Sequence, residues 1–136
     1  MIKKEKPIPI VSPWAKPFWD ATAIGILKIQ KCSKCDMNIF YPRLYCPSCG
    51  SKEIEWIEAL GTGNVYSFTV VENNAPSAFI VDMPYVVAVV EMDEGIRMLT
   101  NIINCNLEQL TCDMRVKVVF ERLNDEFTLP KFEPAS

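Results

Sequence analysis

Four cysteines form two closely spaced pairs that could bind a metal ion. Cys32 and Cys35 make one C-x2-C pair, and Cys46 and Cys49 make a second after a spacer of ten residues. Each pair can turn so that its two thiolates face one ion and backbone amides face the sulfurs. Four thiolates in a closed tetrahedron favour zinc, with iron as the rival metal. The sequence therefore predicts one zinc ion held by these four residues.

The predicted site has a structural role. All four ligands would be protein thiolates, so no coordination position stays open for water or substrate. A module of about 25 residues is too small to bury a core, so the ion would supply its folding energy. The alternatives are two disulfides or a redox C-x2-C motif. The redox motif needs a βαβ context that this pattern lacks.

Composition limits the chemistry that the chain can perform alone. Its 136 residues include no histidine, and its net charge is −3. Without histidine, a Ser-His-Asp triad, a Cys-His dyad and a histidine metal ligand are all excluded for this chain. A negative net charge is the wrong sign for gripping a phosphate backbone, so nucleic acid is not an expected partner. We predict no catalytic residues.

The sequence carries no predicted targeting or membrane segment. The first residues read MIKKEKPIPIVSPW, in which prolines interrupt every apolar run. No stretch approaches the ~20 apolar residues that span a bilayer. Six cysteines without a signal peptide indicate a reducing compartment, so a cytoplasmic location without membrane contact is expected. Cys105 and Cys112 are expected to be small buried hydrophobes.

The chain divides into three predicted units. Residues 1–25 form an N-terminal extension and helix, residues 26–53 a metal ribbon, and residues 54–136 a barrel and C-terminal tail. Strands in the last unit are expected at 54–60, 65–71, 85–92, 96–103 and 114–121. Five short strands with a helical turn at 107–110 predict a mainly β protein with a closed OB-fold barrel. An open β-sandwich is the alternative.

The predicted N-terminal helix carries two large aromatic side chains. Ser12 is a candidate N-cap, Pro13 fits the first helical position, and Gly25 offers a stop. Phe18 and Trp19 need a surface to bury against. That surface is either the body of this chain or another subunit.

Two further groups of residues are candidates for ligand or partner contact. Lys31, Lys34 and Arg43 flank the cysteine pairs. They either soften the negative charge of four thiolates or form a cationic rim for the phosphate groups of a ligand. Phe79 and Ile80 lie in an apolar connection between strands, where polar turn residues would be expected. They either mark an interaction site or cap one end of the barrel.

The order of these parts resembles a known family. The motifs are an aromatic pair at 18–19, QKCSKC at 30–35, YPRLYCPSCGS at 41–51, GTGNVYSFTVV at 61–71, PYVVAVVE at 84–91 and EGIRMLT at 94–100. They resemble the acyl-CoA-associated zinc-ribbon/OB-fold family, long catalogued as a domain of unknown function. One departure is Cys112, where glycine is expected.

The resemblance implies a fold and a role. It implies a rubredoxin-like zinc ribbon joined to an OB-fold. Members of the family are found beside thiolase-like proteins and act as scaffolding subunits of enzymes that process acyl-CoA. For this chain the resemblance implies a non-catalytic subunit that binds a thiolase-fold protein and helps to hold the CoA portion of an acyl-CoA.

Two other function classes stay open from the residues alone. OB-folds often stack single-stranded bases on exposed aromatics, and Tyr66, Phe68 and Tyr85 could form such a platform. An independent enzyme could use Asp93 or Glu94 as a carboxylate base. Paired acids at a β-turn, however, are more often turn chemistry.

Overall fold

The N-terminal helix is short and begins at prolines. The computed structural model describes residues 8–73 and 75–135, so the first seven residues of the predicted extension lie outside it. A 3-10 helix, Pro13–Ala15, leads into α1, Lys16–Thr22. Ser12 occupies the N-cap position of the 3-10 helix without a side-chain capping bond. No helix in the described part of the chain is long and apolar enough to cross a membrane.

Three short strands form the ribbon sheet. They are β1 (Lys28–Cys32), β2 (Asn38–Ile39) and β3 (Ile54–Glu58), in the order β2-β1-β3. We expected the third strand to open the barrel, and this was wrong. It pairs antiparallel with β1 along its whole length. The physical reason is that β1 and β2 share only two residue pairs, so the hairpin needs a third strand to be stable.

Five further strands close into a barrel. They are β4 (Thr62–Val71), β5 (Tyr85–Met92), β6 (Arg97–Ile102), β7 (Arg115–Arg122) and β8 (Thr128–Pro134), in the order β4-β5-β6-β8-β7. This confirms the mainly β fold with a five-stranded barrel and excludes the open sandwich. The fifth barrel strand is β8, which we expected to be tail. Two prolines in β8 hide its strand character, because proline cannot donate to a ladder.

The barrel core is apolar and fully buried. One side chain from each of four strands is inaccessible to solvent: Val65, Val90, Val116 and Phe132. The same core continues through Leu27 and Ile29 of the ribbon side and Phe18 of α1. The helix, the ribbon and the barrel therefore share one hydrophobic core.

The barrel is joined weakly at one place, which we call the seam: the boundary between β6 and β8. These two strands share the single parallel pair Ile102↔Phe132 within the described residues. The Ile103 amide also donates to the Phe132 carbonyl at 2.8 Å, and the Thr100 hydroxyl donates to the Pro130 carbonyl at 3.1 Å. By contrast, β7 and β8 pair along seven positions.

Candidate metal centre and neighbouring cavities

Two matching turns bring the four cysteines together. The amide of Asp36 donates to the Cys32 carbonyl at 2.9 Å, and the amide of Gly50 donates to the Cys46 carbonyl at 2.9 Å. Asp36 and Gly50 each follow the second cysteine of a pair and have φ values of 63° and 75°. Glycine adopts this conformation freely, and aspartate is among the few other residues that tolerate it. Our sequence reasoning missed the role of Asp36.

The four sulfurs have the spacing of a thiolate metal site. All four Sγ atoms lie within 4.8 Å of one another. The Cys32–Cys49 distance is 3.6 Å and the Cys35–Cys46 distance is 3.5 Å. A tetrahedron with metal–sulfur bonds of about 2.3 Å has edges of about 3.8 Å. The donor set therefore fits one tetrahedral ion, and all four predicted ligands come together.

Backbone amides lower the pKa values of the cysteine thiols, whereas burial raises them. The Cys49 amide donates to the Cys46 sulfur and lowers the pKa of Cys46 to about 6, against the effect of burial. The Cys35 amide likewise lowers the pKa of Cys32. At Cys35 the Met37 amide lowers the pKa, but burial and the three neighbouring cysteines raise it to about 12. The neighbouring sulfurs thus disfavour a thiolate at Cys35, and a divalent cation between the four sulfurs would stabilise that thiolate.

One side of the cysteine cluster faces solvent and the other is packed. Cys32 and Cys46 are buried, whereas Cys35 and Cys49 are exposed. The buried pair forms a small apolar cluster with Ile39, against which Ile54 packs. This cluster is too small to hold the two cysteine turns by itself, which agrees with a structural ion.

A buried glutamine holds the chain before the second cysteine pair. The Gln30 side chain is 3% exposed, accepts from the Arg43 amide at 2.7 Å and donates to the Arg43 carbonyl at 3.0 Å. Among the expected cationic residues, Lys34 and Arg43 are exposed and Lys31 is half-buried. We did not anticipate Gln30 from sequence. Lys28 and Lys31 also lie in β1, so one more polar residue in this strand gave no sign of burial.

The aromatic residues of α1 pack on this chain. Phe18 is 5% exposed, lies edge-on to Trp19 at 5.0 Å and contacts the Phe40 ring at 5.7 Å. Trp19 is half-buried and lies edge-on to Phe127 at 5.4 Å. The surface that buries them is therefore the body of the chain. Trp19 keeps some exposure at the rim of a cavity.

A first cavity of about 320 Å³ lies where α1, the ribbon and the seam meet. Most of its lining is apolar. Its walls include Phe18 and Trp19 from α1, residues 40–42 from the ribbon, and residues 98–101 and 129–131 from the two seam strands. The smaller cavity is thus built by all three parts of the structure.

A second cavity of about 780 Å³ adjoins the first beside β5, β6 and the segment that follows β6. The 3-10 helix Ser77–Asp82 borders it, with Phe79 in its wall and 6.1 Å from the Tyr85 ring. Ile80 is 50% exposed. The cavities share Lys131, whose ammonium pairs with the Glu121 carboxylate at 2.8 Å.

The remaining cysteines lie outside the metal cluster. Cys105 is half-buried, and its thiol contacts the Asn106 carbonyl at 3.3 Å. Cys112 is exposed, so the expectation that it is buried was wrong. It stands in the turn before β7, where Asp113 takes the left-handed conformation at φ 69°. The turn thus places its positive φ one residue after the position where we expected glycine.

The candidate carboxylate bases are occupied by structural contacts. Asp93 pairs with Arg115 at 2.8 Å, and this contact holds the pKa of Asp93 near 2. Glu94 accepts from the Leu60 amide at 2.8 Å. A carboxylate held ionised by an arginine is a weak proton acceptor near neutral pH. Asp93 therefore lacks the features of a general base, whereas the second oxygen of Glu94, Oε1, is buried without a hydrogen-bond partner among the described residues.

The aromatic side chains proposed as a base-stacking platform each contact other side chains of this chain. Tyr66 is 50% exposed, but the Arg97 guanidinium lies 3.8 Å from its ring centroid. Tyr85 lies beside Phe79, and Phe68 packs partly against the core.

A four-thiolate ribbon joined to an OB barrel defines a rubredoxin-like ribbon/OB-fold protein. Family models agree with both halves. The model described as "ChsH2, rubredoxin-like zinc ribbon domain" matches residues 19–55. The model described as "ChsH2, C-terminal OB-fold domain" matches residues 56–121.

Curated relatives place the chain within one family. A "DUF35 domain-containing scaffold protein" from Methanocaldococcus jannaschii is 37% identical over 97 residues, covering 71% of this chain and 68% of that protein. A similarly named protein from Methanothermobacter thermautotrophicus is 35% identical over 100 residues, covering 71% and 73%. The chain belongs to the DUF35 family of zinc-ribbon and OB-fold proteins.

Another relative is much longer than the matched region. A "Probable enoyl-CoA hydratase alpha subunit" from Thermomonospora curvata is 40% identical over 119 residues, covering 87% of this chain. The chain spans only 37% of that protein. The match therefore concerns one part of the hydratase subunit.

Solved structures share the fold across almost the whole chain. A chain of the "Ltp2-ChsH2(DUF35) aldolase" superposes with a TM-score of 0.86 at 36% identity, covering 95% of this chain and 100% of that one. A DUF35-family protein from Sulfolobus solfataricus has a TM-score of 0.64 at 17% identity, covering 90% and 85%, and supports the fold alone.

Proposed function

We propose that this chain is a non-catalytic, zinc-binding scaffold subunit of an acyl-CoA-processing complex, associated with a thiolase-like enzyme. The observation that carries the proposal is the near-complete match to a chain of a solved aldolase complex. The scaffold names of the archaeal relatives support the role, and the hydratase name links this module to CoA thioesters.

The chemistry of the chain fits a subunit that leaves catalysis to its partner. The sequence has no histidine. Its clustered thiols suit metal binding, and Asp93 is held in an ion pair. The proton transfers of an acyl-CoA reaction would then come from the partner enzyme.

Zinc is the metal that this donor set favours. Four thiolates close the coordination shell, so an ion bound there would stabilise the ribbon and leave no position for substrate. The chain's own contribution is to hold the four sulfurs with two tight turns and to direct amides at them.

Two features suit the CoA portion of a ligand. Lys34 and Arg43 are exposed cations beside the metal site, and Lys31 adds a half-buried third. We propose that they attract the phosphate groups. The adjoining cavities have volumes within the roughly 300–1,000 Å³ typical of small-molecule sites. Their apolar walls suit the less polar remainder of an acyl-CoA, while Trp19, Phe79 and Ile80 stand at exposed edges for partner contact.

Affinity capture under native conditions tests the association with a thiolase-like enzyme. We expect the tagged full chain to retain a thiolase-fold protein in near-stoichiometric amount and to contain one zinc per chain by elemental analysis. A stable monomer with no affinity for such a protein or for acyl-CoA would refute the scaffold role. Iron in place of zinc would refute only the choice of metal.

Charge reversal tests the cationic rim separately. In the complex, Lys34→Glu with Arg43→Glu should weaken CoA binding by about tenfold or more, because each change replaces a cation that attracts phosphate with a carboxylate that repels it. Lys52→Glu is the matched control, because Lys52 is an exposed ribbon cation directed at the Tyr45 ring. Equal affinities in both variants would argue against the rim.

The alternative of a single-stranded nucleic-acid binder is decided by titration. Labelled oligonucleotide at low salt should show no micromolar binding if the scaffold role holds. Binding with a steep salt dependence would favour the alternative.

A further inference from the structure

The ribbon supplies one wall of the cavity at the seam. Residues 40–42 directly follow β2 and line the smaller cavity together with Leu99 and Pro130. We call this lining segment together with Arg43, residues 40–43, the wall. Without this segment, that side of the cavity would have no cover from the ribbon.

The wall is held in place from the metal site. Gln30 fixes the Arg43 backbone through two hydrogen bonds, and Gln30 stands two residues before Cys32 on the same strand. Cys46, a second ligand, follows Arg43 by three residues. The metal ligands therefore lie on both sides of the contact that positions the wall.

The wall in turn contacts the barrel. The Leu99 amide of β6 donates to the Tyr41 hydroxyl at 3.4 Å, and the Phe40 ring packs on Phe18. Near the wall, the Asn38 side chain donates to the Glu94 carbonyl at 3.0 Å. The first contact covers β6 where it lacks further ladder pairs with β8, the second reaches α1, and the third reaches the turn between β5 and β6.

We propose that metal occupancy at the four cysteines controls the cavity at the seam. With the ion bound, the ribbon holds the wall against β6 and the cavity is closed on that side. When the ion leaves, β1 stays packed on the shared core through Ile29 and the adjoining Leu27, but the small cluster around Ile39 cannot hold the two cysteine turns. The segment between them loosens, the wall separates from β6, and the cavity opens to water. The inference rests on the proposed metal site but not on the scaffold role.

Hydrogen exchange on the full chain tests this control. The protein is compared as isolated and after chelation under reducing conditions, with metal content measured on both samples. We expect the Leu99 amide to exchange at least about tenfold faster after metal loss, while the β7–β8 ladder keeps its protection. Unchanged exchange at Leu99 would overturn the proposal. Equal loss across the whole barrel would also overturn it, because the metal would then stabilise the entire fold.

Metal analysis separates the two possible failures. If the protein is isolated without metal and the amides of its two cysteine turns are still protected from exchange, the metal site of the proposed function is refuted. If the protein contains metal but the exchange rate of the Leu99 amide does not change when the metal is removed, only the control of the cavity is refuted.

A substitution tests the same link with the metal kept. Gln30→Ala removes both contacts to Arg43 without changing a cysteine, so Leu99 exchange should accelerate while the metal content stays at one ion per chain. Lys52→Ala, an exposed change elsewhere in the ribbon, is the control and should leave exchange unchanged. If Gln30→Ala loses metal, Gln30→Met, which removes the same two hydrogen bonds with less change in buried volume, takes its place. Slow Leu99 exchange in the metal-bound variant would contradict the proposal.

Discussion

The guanidinium of Arg115 donates two hydrogen bonds to the carboxylate of Asp93, at 2.8 and 3.1 Å. Thr62 also donates to this carboxylate, and Arg115 donates to the Asn64 side chain at 3.1 Å. The pair therefore joins the start of β7 to the β5–β6 turn and to β4. This contact fastens the end of the barrel where the chain leaves the ribbon.

The Asp93 contact predicts a specific pH dependence. Hydrogen bonds from Arg115, and then from Thr62, lower the pKa of Asp93 to about 2. The unfolded value is about 3.9, so the stabilisation is complete above about pH 4 and is lost as pH falls through about 2. Asp93→Asn should lower the free energy of unfolding at pH 7 and flatten its decline between pH 4 and pH 2, as measured by urea titration.

Asp125 provides the control for this experiment. It pairs with Arg122 three residues away, and its side chain is 99% exposed. Asp125→Asn should change neither the free energy of unfolding at pH 7 nor its decline between pH 4 and pH 2, because exposed pairs contribute little. If the free energy of unfolding falls equally steeply between pH 4 and pH 2 in the wild type and in Asp93→Asn, the assigned role of Asp93 is contradicted.

Loss of one buried metal ligand should abolish metal binding. Cys46→Ser removes a thiolate that is 2% exposed, so the metal content should fall from one ion per chain to near zero and the midpoint of thermal unfolding should fall. Elemental analysis and calorimetry measure the two effects. Cys112→Ser, an exposed cysteine outside the cluster, should change neither. Full metal content in Cys46→Ser would exclude the four-thiolate site.

The stability of the protein should depend on Phe132, the fully buried member of the single residue pair at the seam. Phe132 is fully buried, so Phe132→Ala should lower the free energy of unfolding by about 3–5 kcal/mol through lost burial and a cavity. Chemical denaturation gives the value. Leu99→Ala, on the opposite side of the seam and 59% exposed, should cost no more than about 0.5 kcal/mol. Similar losses in the two variants would show that the seam is not part of the core.

Close backbone packing at Gly63 should make this position intolerant of a side chain. A Cβ at Gly63 would overlap the Glu91 carbonyl of the neighbouring strand, and backbone cannot move aside as a side chain can. Gly63→Ala should therefore lower the free energy of unfolding by about 1–3 kcal/mol. Ser67→Ala, an exposed change on the same strand, is the control. A neutral Gly63→Ala would mean that β4 and β5 can separate there.

Local pattern was sufficient for much of the fold and for the metal ligands. The spacing of the cysteines indicated that all four would meet, because each pair is closed by a turn of its own. The predicted strand at 85–92 coincides with β5, since its β-branched run ends at a tight turn. These features depend on residues that are near one another in sequence.

The local sequence pattern did not show which distant strands pair with one another. The alternation at 54–58 indicated a strand with one buried face, and either the ribbon or the barrel could bury that face. Pro130 and Pro134 made β8 resemble a tail, although β8 forms its main ladder with β7. The Asn38–Glu94 contact joins residues 56 positions apart, and no local rule relates them.

The position of β8 has a consequence for the order of folding during synthesis. It is the last described strand in the chain, yet it lies between β6 and β7 in the barrel. The ribbon strands come earlier and pair among themselves, so the ribbon can fold and take up its ion while the barrel is still open. A nascent chain that ends before β8 would therefore present a finished ribbon beside an exposed apolar core.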